Sequence, residues 1–293
     1  MKLVTFTHNG STGTGALVEG DRVVDLHAAD VSVPATLLEL LEAGDGAMLR
    51  AKEIARRAKD IAEGATDGIA LTDVVLEAPI PRPGKALAIG LNYRDHAEET
   101  GQEIPKHPIV FAKVTTCITG PGKPIHIPRV SSMVDWEGEL CFVIGKTARY
   151  VEREDALDYV AGYMIGNDVS VRDWQSHAAT WTTGKGFDTH GPIGPWLVTS
   201  DEMDASDLRI QTFVNDVLKQ DSTTAQPIFG VPDLVAYLST AFTLEPGDVV
   251  FTGTPSGVGV ARRPREFLKP GDTVRIEIEG LGTLENPVTE EPV

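Results

Sequence analysis

Cysteine, long apolar runs and basic residues are scarce in this 293-residue chain, and each scarcity excludes a class of protein. The two cysteines, Cys117 and Cys141, have no neighbouring pair, so they fit neither a zinc site nor a disulfide framework. No apolar run approaches the ~20 residues of a membrane span, and the start is too quickly polar for a signal peptide, so a cytoplasmic location is expected. The net charge of −17 argues against nucleic acid or an anionic membrane as a partner.

Short strand patterns separated by turn residues are abundant. Two near copies of a Pro-Gly-Asp turn, at residues 246–248 and 270–272, each precede an apolar alternation that is typical of a strand. Residues 1–78 combine strand patterns with one helical region and carry no catalytic constellation, and the three prolines that follow indicate a linker. The sequence therefore predicts a β-rich α+β protein with a small N-terminal α+β domain over 1–78 and a larger domain over 79–293.

An acidic stretch at residues 134–144 organises the larger domain. Alternation along a strand puts its large apolar side chains on one face and Asp135, Glu137 and Glu139 on the other. Two such carboxylates about 4 Å apart repel by roughly 4 kcal/mol at an effective dielectric constant near 20. Either a bound cation or full exposure to water must relieve this repulsion. Asp168 follows a buried strand pattern and can complete an all-oxygen site with Glu137 and Glu139, which favours Mg²⁺ or Mn²⁺.

A second candidate group is formed by His96 and Glu99, which follow the buried strand pattern at residues 86–90. Their spacing of three places both on one face of a helix, where the carboxylate can orient the imidazole as a water-activating base. The same spacing is also common on solvated helices that have no catalytic role. Lys185 stands alone in a glycine-flanked loop at residues 183–188.

These stretches resemble the fumarylacetoacetate hydrolase family. They appear in the family's order and extend over roughly residues 86 to 288, while residues 1–78 resemble the small variable domain of many bacterial members. The matching motifs are GLNYRDH at 90–96, VDWEGEL at 134–140, GNDVSVRD at 166–173, GKGFDT at 184–189, GTPSGVG at 253–259 and FLKPGD at 267–272.

The resemblance implies a mixed β-sandwich or β-roll catalytic domain, a homodimer, and Mg²⁺ or Mn²⁺ held by Glu137, Glu139 and Asp168. It also implies that His96 and Glu99 activate water and that Lys185 stabilises developing negative charge. The residues that it places around the substrate are Tyr93, Arg172, Gln175 and Thr254. The chain departs from many members at Gly186 and His190, where a serine and an apolar residue are usual.

The resulting hypothesis is a metal-dependent hydrolase that cleaves a carbon–carbon bond in an acylpyruvate or related 2,4-dioxo acid. Bacterial acylpyruvases and 2,4-diketo-3-deoxy-sugar-acid hydrolases are the members that it resembles. Oxaloacetate decarboxylation and oxo-acid isomerisation are alternatives, because the same site can hold their substrates. A non-enzymatic binding protein would be favoured by loss of one of the three carboxylates, and all three are present.

Overall fold

The computed structural model describes residues 1–19, 21–61 and 68–292, which form many short strands and few helices. The strands are β1 Lys2–His8, β2 Ser11–Val18, β3 Arg22–Asp25, β4 Ile69–Ala70, β5 Val75–Leu76, β6 Ala86–Gly90, β7 Ile109–Lys113, β8 Ile118–Thr119, β9 Ile125–Ile127, β10 Val134–Asp135, β11 Gly138–Ile144, β12 Val160–Asn167, β13 Ser170–Val171, β14 Gly191–Thr199, β15 Arg209–Val214, β16 Val217–Thr223, β17 Val249–Phe251, β18 Thr273–Ile278 and β19 Gly282–Glu290. The α-helices are α1 Leu26–Ala29, α2 Leu37–Glu42, α3 Asp45–Ile61, α4 Arg94–Thr100, α5 Arg172–Gln175, α6 Thr182–Lys185 and α7 Val231–Ala241. The short 3₁₀ helices are Leu71–Asp73, Thr115–Cys117, Arg153–Tyr159, Ser200–Glu202 and Gly259–Ala261.

A large mixed sheet positions the acidic stretch. Within the described residues its order is β4-β3-β2-β1-β14-β12-β11-β17-β6-β7, with β5 added beside β1 and β8 beside β14. Strand β11 lies inside this sheet, antiparallel to both β12 and β17. Leu140 and Phe142 enter one hydrophobic core, whereas Cys141 and Val143 enter another on the opposite face. Because both faces of β11 are covered, the carboxylate that it carries, Glu139, is removed from water.

A five-stranded sheet in the order β16-β15-β18-β19-β9 packs against the large sheet. The alternating apolar residues of β18, Val274, Ile276 and Ile278, share a core with Leu140 and Phe142 of β11. Their burial follows from the period-two pattern, because alternate side chains of a strand point to the same face. The β-rich α+β class and the sandwich-like packing of sheets expected from the sequence are confirmed.

The N-terminal segment continues the large sheet rather than standing apart from it. Strand β1 pairs with β2 on one side and with β14 on the other. Leu37 and Leu40 of α2 lie in the same core as Cys141 and Phe251. Residues 1–78 are therefore joined to the larger part by a shared sheet and a shared core, and the domain boundary at residue 78 stays a prediction.

The strand expected over residues 134–144 is interrupted. Strand β10 pairs with β13, whereas β11 pairs with β12, so the chain changes partner at Trp136 and Glu137. At the interruption the main chain of Glu137 is held by two hydrogen bonds, one from Asp168 N to Glu137 O (2.9 Å) and one from Glu137 N to Asn167 Oδ1 (3.1 Å). The break therefore brings Glu137 against the end of β12. No helix among the described residues is both long enough and apolar enough to cross a membrane.

Candidate active site

Three buried carboxylates from two neighbouring strands converge. Glu139 lies in β11, Glu137 just before it, and Asp168 just after β12. One ligand oxygen from each lies within 4.8 Å of the others, and no residue of the three is more than 5% exposed. The antiparallel pairing causes this arrangement, because it places the start of β11 beside the end of β12. The solvated acidic face considered as an alternative is thereby excluded.

Three cations surround two of these carboxylates. The Nζ atom of Lys185 lies 2.7 Å from Glu137 Oε2 and 2.8 Å from Asp168 Oδ2. Arg172 Nη1 lies 2.6 Å from Glu137 Oε1. Lys113 Nζ lies 2.5 Å from Asp168 Oδ1, and its side chain is fully buried. Charged groups removed from water in this way require such pairing, because an unpaired buried charge is strongly unfavourable.

Lys113 was missed by sequence reasoning, although a signal for it exists. It ends the apolar strand β7 and shares a strand face with Phe111, which is buried. A lysine at a core position of a strand is rarely tolerated without a partner, so its place in the alternation indicates a buried carboxylate nearby.

The pKa values of the two glutamates are shifted in opposite directions. Burial raises the pKa of Glu137, but the charges of Lys185 and Arg172 outweigh burial and lower it to about 2. Burial raises the pKa of Glu139 well above its ordinary value, and the charges of Asp168 and Glu137 raise it further. The carboxylate of Glu139 accepts a hydrogen bond from Gly253 N (2.7 Å). Glu139 is therefore the member of the group that most requires an additional positive charge.

The three carboxylates fit a divalent metal ion. All of the donor atoms are carboxylate oxygens, which suit a hard cation such as Mg²⁺ or Mn²⁺. Their close approach and the raised pKa of Glu139 indicate a local excess of negative charge that such a cation would neutralise. The choice between Mg²⁺ and Mn²⁺ stays a prediction.

A cavity of about 310 Å³ opens beside this cluster. The predicted site residues on its wall are His96, Glu137, Asp168, Arg172, Gln175, Lys185 and Thr254. Both apolar and polar side chains complete the wall, and the ring of Trp181 packs on Gly90, where a Cβ atom would lie 2.1 Å from the ring. One small cavity thus contains charged groups at the carboxylate cluster and an aromatic surface beside them.

His96 and Glu99 lie together on α4, as their spacing predicted. His96 Nδ1 is 3.3 Å from Glu99 Oε2, and His96 lines the cavity while Glu99 lies behind it. Glu99 Oε1 accepts a hydrogen bond from Gly257 N (3.0 Å), and Asp95 Oδ2 accepts one from Ser256 Oγ (3.1 Å). These contacts fix α4 against the loop at residues 252–260, so the imidazole is held at the cavity wall.

Two residues predicted to contact the substrate, Tyr93 and Thr254, are placed differently relative to the cavity. Tyr93 is fully buried and is not part of the cavity wall, and within the described residues its hydroxyl has no hydrogen-bond partner. Burial and the charges of Glu139 and Asp95 raise the pKa of Tyr93. Thr254 does line the cavity, but its hydroxyl also donates to Gly138 O (2.9 Å). Sequence alone could not separate a residue at the cavity from one packed behind it.

The two residues that depart from the family pattern, Gly186 and His190, are both closely packed against neighbouring residues. A Cβ atom on Gly186 would lie 2.8 Å from Thr182 O and from Val114 Cγ2, so glycine permits the chain beside Lys185 to pack closely. His190 is fully buried, with Nε2 2.8 Å from His126 O, and burial lowers the pKa of His190 to about 4. Neither residue lies on the cavity wall.

The chain is similar to a known protein family over most of its length. The family described as Fumarylacetoacetate (FAA) hydrolase C-terminal matches residues 85–289. The chain belongs to the fumarylacetoacetate hydrolase family. The resemblance inferred from the sequence motifs is thereby confirmed, and the chain is an enzyme of a family that acts on small-molecule substrates.

The similar proteins include tautomerases and isomerases. A mitochondrial oxaloacetate tautomerase of Xenopus laevis is 44% identical over 294 residues, which cover 98% of this chain and 90% of the relative. A solved structure from Mycobacterium smegmatis has a TM-score of 0.86 and 36% identity, with both chains covered completely. The structure of 5-carboxymethyl-2-hydroxymuconate delta-isomerase from the same organism has a TM-score of 0.78 and 33% identity, covering 99% of this chain and 100% of that one. A cytoplasmic location and a homodimer stay predictions.

Proposed function

We propose that this chain catalyses keto–enol proton transfer in a short 2-oxo acid, with oxaloacetate as the first substrate to test. The observation that carries the proposal is that one cavity brings a histidine, two cations and two members of the carboxylate cluster together. The oxaloacetate tautomerase of Xenopus laevis, which is similar along nearly all of this chain, supports this choice of reaction.

The proton transfer is assigned to His96. When Nδ1 of the imidazole donates to Glu99, Nε2 is left unprotonated and acts as the base. The proton leaves carbon 3 of the substrate for Nε2, the C–H electron pair forms the double bond between carbons 2 and 3, and the π pair of the 2-oxo group moves onto its oxygen. The same proton then passes from His96 to the oxygen on carbon 2. The reverse sequence converts enol into ketone.

The remaining polar side chains bind and orient the substrate. Gln175 Oε1 accepts a hydrogen bond from Arg172 Nη1 (3.0 Å), which turns its amide NH₂ away from the arginine and leaves it as a donor for a substrate carboxylate. Lys185 places an ammonium group beside the oxygen on which negative charge develops. Glu137, Glu139 and Asp168 would hold Mg²⁺ or Mn²⁺, which when bound supplies Lewis-acid polarisation of the 2-oxo group.

Carbon–carbon hydrolysis of an acylpyruvate is the second candidate. The specific observation that favours it is the fixed position of Glu99 between His96 and Gly257, which suits a base that activates water. His96 would accept a proton from water as the water oxygen attacks the distal carbonyl. The bond to the pyruvate fragment then breaks, and its electron pair departs with that fragment.

One set of assays separates the candidates. Purified protein with Mn²⁺ or Mg²⁺ is mixed with enol oxaloacetate, and loss of the enol's ultraviolet absorbance is followed while pyruvate formation is measured. Acetylpyruvate is assayed in parallel for acetate and pyruvate. Faster loss of the enol without cleavage products supports the tautomerase, whereas acetate from acetylpyruvate supports the hydrolase. Pyruvate from oxaloacetate would indicate decarboxylation, and no effect on any substrate would refute the proposal.

Substitution of the base provides the residue-level test. His96→Gln should lower tautomerase turnover by about 10²–10⁴-fold, the usual contribution of a positioned general base. Mn²⁺ affinity should be little changed, because His96 is not one of the clustered carboxylates. His8→Gln, in strand β1, is the control and should retain wild-type turnover. Wild-type turnover in the His96 variant would remove this residue from the mechanism.

A further inference from the structure

Asp135, the first acidic residue of the 134–144 stretch, has no place in the carboxylate cluster. It is fully buried and points to a different group of donors. Its Oδ1 accepts hydrogen bonds from Trp136 N (2.9 Å) and Gly259 N (2.7 Å). Its Oδ2 accepts from Arg172 Nε (2.8 Å) and Val260 N (2.9 Å). Oδ1 is therefore occupied by two main-chain donors, and Oδ2 by one main-chain donor and the guanidinium group of Arg172, whose Nη2 also lies 2.7 Å from Oδ2.

The first consequence of this arrangement concerns Arg172. Asp135 holds the Nε edge of the guanidinium, while Nη1 reaches Glu137 and Gln175. A planar group anchored at two edges keeps one orientation, because a rotation would break charge-assisted hydrogen bonds on both sides. The direction in which Arg172 meets an anion in the cavity is thus set by Asp135.

The second consequence concerns the 252–260 loop. Gly259 approaches Asp135 so closely that a Cβ atom there would lie 2.7 Å from Oδ1. Two residues earlier in the same loop, Gly257 N donates to Glu99, the partner of His96. Asp135 therefore anchors this loop two residues beyond the point at which the loop supports the proposed general base.

We infer that Asp135 is a positioning residue that holds Arg172 for binding of the substrate carboxylate and holds the 252–260 loop behind the His96–Glu99 pair. This inference rests on the proposed function for its kinetic readout, but its binding readout does not require turnover. Asp135 acts through other residues, since it is not on the cavity wall.

Asp135→Asn is the informative substitution. Asparagine has nearly the same shape, but one of its two terminal atoms is an NH₂ group that can only donate. Because both carboxylate oxygens accept from two donors, neither orientation of the amide avoids a clash between donors. The variant therefore disturbs either the arginine or the loop.

A matched control lies elsewhere in the chain. Asp248 is also fully buried and accepts hydrogen bonds from Lys85 N (2.8 Å) and Glu245 N (2.7 Å), and its carboxylate lies 2.9 Å from Lys85 Nζ. It is not on the cavity wall. Asp248→Asn removes a comparable buried charge and disturbs comparable backbone donors, so it reports the effect of lost stability alone.

The experiment measures binding and turnover in both variants. Affinity for oxalate, a dicarboxylate that resembles the chelating end of a 2-oxo acid, is measured at saturating Mn²⁺, with the Mn²⁺ titration performed separately for each variant. We expect Asp135→Asn to weaken oxalate binding at least about tenfold, as expected for loss of a hydrogen bond to a charged group, and to lower turnover as well. Asp248→Asn should leave oxalate affinity within about twofold of wild type while lowering the melting temperature.

A double-mutant cycle with Arg172→Gln distinguishes positioning from general damage. If Asp135 acts through Arg172, the double variant should bind oxalate no more weakly than Arg172→Gln alone. If Asp135→Asn does not fold, Asp135→Glu takes its place, because it keeps the charge beside Arg172 but displaces the carboxylate, and it should show the same loss of oxalate affinity.

Several results would overturn the inference. They are wild-type oxalate affinity in the Asp135 variant, an equal loss in the Asp248 variant, and full additivity in the cycle. Absence of oxalate binding by the wild-type protein would also overturn it. A protein that binds oxalate in an Asp135-dependent way but turns over no 2-oxo acid would refute the proposed function and leave this inference standing.

Discussion

Replacing Glu139 by glutamine should change the stability of this protein in opposite directions with and without a divalent cation. The ligand oxygens of Glu137, Glu139 and Asp168 lie within 4.8 Å of one another. At that separation each like-charged pair repels by about 3 kcal/mol at an effective dielectric constant near 20. The amide oxygen of glutamine can still accept the hydrogen bond from Gly253 N. The substitution therefore removes repulsion without removing this contact.

The size of the effect in the metal-free protein depends on pH. The pKa of Glu139 is raised in the folded protein, so the folded state retains a proton that the unfolded state has released at the same pH. The stability of the metal-free wild-type protein therefore falls as the pH rises from the ordinary pKa of a glutamate to this raised pKa. Glutamine cannot ionise, so the variant avoids that fall. Since Lys185 offsets part of the repulsion, we expect a gain of about 1–3 kcal/mol in the free energy of unfolding at pH 9 and a smaller gain at pH 5, close to the ordinary pKa of a glutamate.

A bound cation should reverse the order. Mn²⁺ at 100 times its dissociation constant stabilises the wild-type protein by about 2.7 kcal/mol, and loss of one ligand removes most of this gain. The assay is urea unfolding followed by tryptophan fluorescence, with EDTA or with saturating Mn²⁺, at both pH values. A Glu139→Gln protein that is less stable than wild type in EDTA at pH 9 would refute the electrostatic reasoning.

Glu137→Gln is the matched control for this prediction. The pKa of Glu137 is lowered to about 2, because Lys185 and Arg172 outweigh its burial. Its ionised form therefore stabilises the fold above the ordinary pKa of a glutamate, and this stabilisation is lost as the pH falls towards 2. At pH 5 and at pH 9 we expect the variant to lose roughly 3 kcal/mol with EDTA, since breaking a buried ion pair leaves charges without a partner. With Mn²⁺ the loss relative to wild type should be larger, because Glu137 is also one of the clustered carboxylates.

Two further predictions concern the surroundings of the site. Gly90→Ala should raise KM, because its Cβ would lie 2.1 Å from the ring of Trp181 and displace that ring from the cavity wall. Gly46→Ala is the control and should leave KM unchanged, because a Cβ atom at Gly46 would have no neighbouring atom within 4 Å. An unchanged KM in the Gly90 variant would show that Trp181 does not shape the bound state. The pKa of His190 is lowered to about 4 by burial, so the unfolded chain takes up a proton at a higher pH than the folded protein does. Unfolding experiments should therefore show that the free energy of unfolding falls as the pH is lowered from 6.5 to 4. His190→Gln should flatten this slope and His107→Gln, at an exposed position, should not; equal slopes in both variants would contradict the assignment.

Much of the site was predictable because the residues of its two main pairs lie close together in the sequence. Glu137 and Glu139 are two residues apart on one chain segment, and His96 and Glu99 are one helical turn apart on α4. Both relations follow from the geometry of a single element, which residue types and spacing reveal. The prediction of an uninterrupted acidic strand was wrong, because a change of pairing partner at Trp136 is a property of two sheets and not of one segment.

The sequence by itself determined the strand-rich class, the family, and which side chains share a face within one unbroken strand or helix. Only the tertiary structure decided that Asp168 lies beside Glu139 and that Lys113 reaches both Asp168 and the main chain of Lys185. It also decided that Asp135 points towards Arg172 rather than into the carboxylate cluster. The physical reason is that periodicity sets the direction of a side chain relative to its own backbone, whereas its neighbours are set by which distant strand supplies the hydrogen bonds.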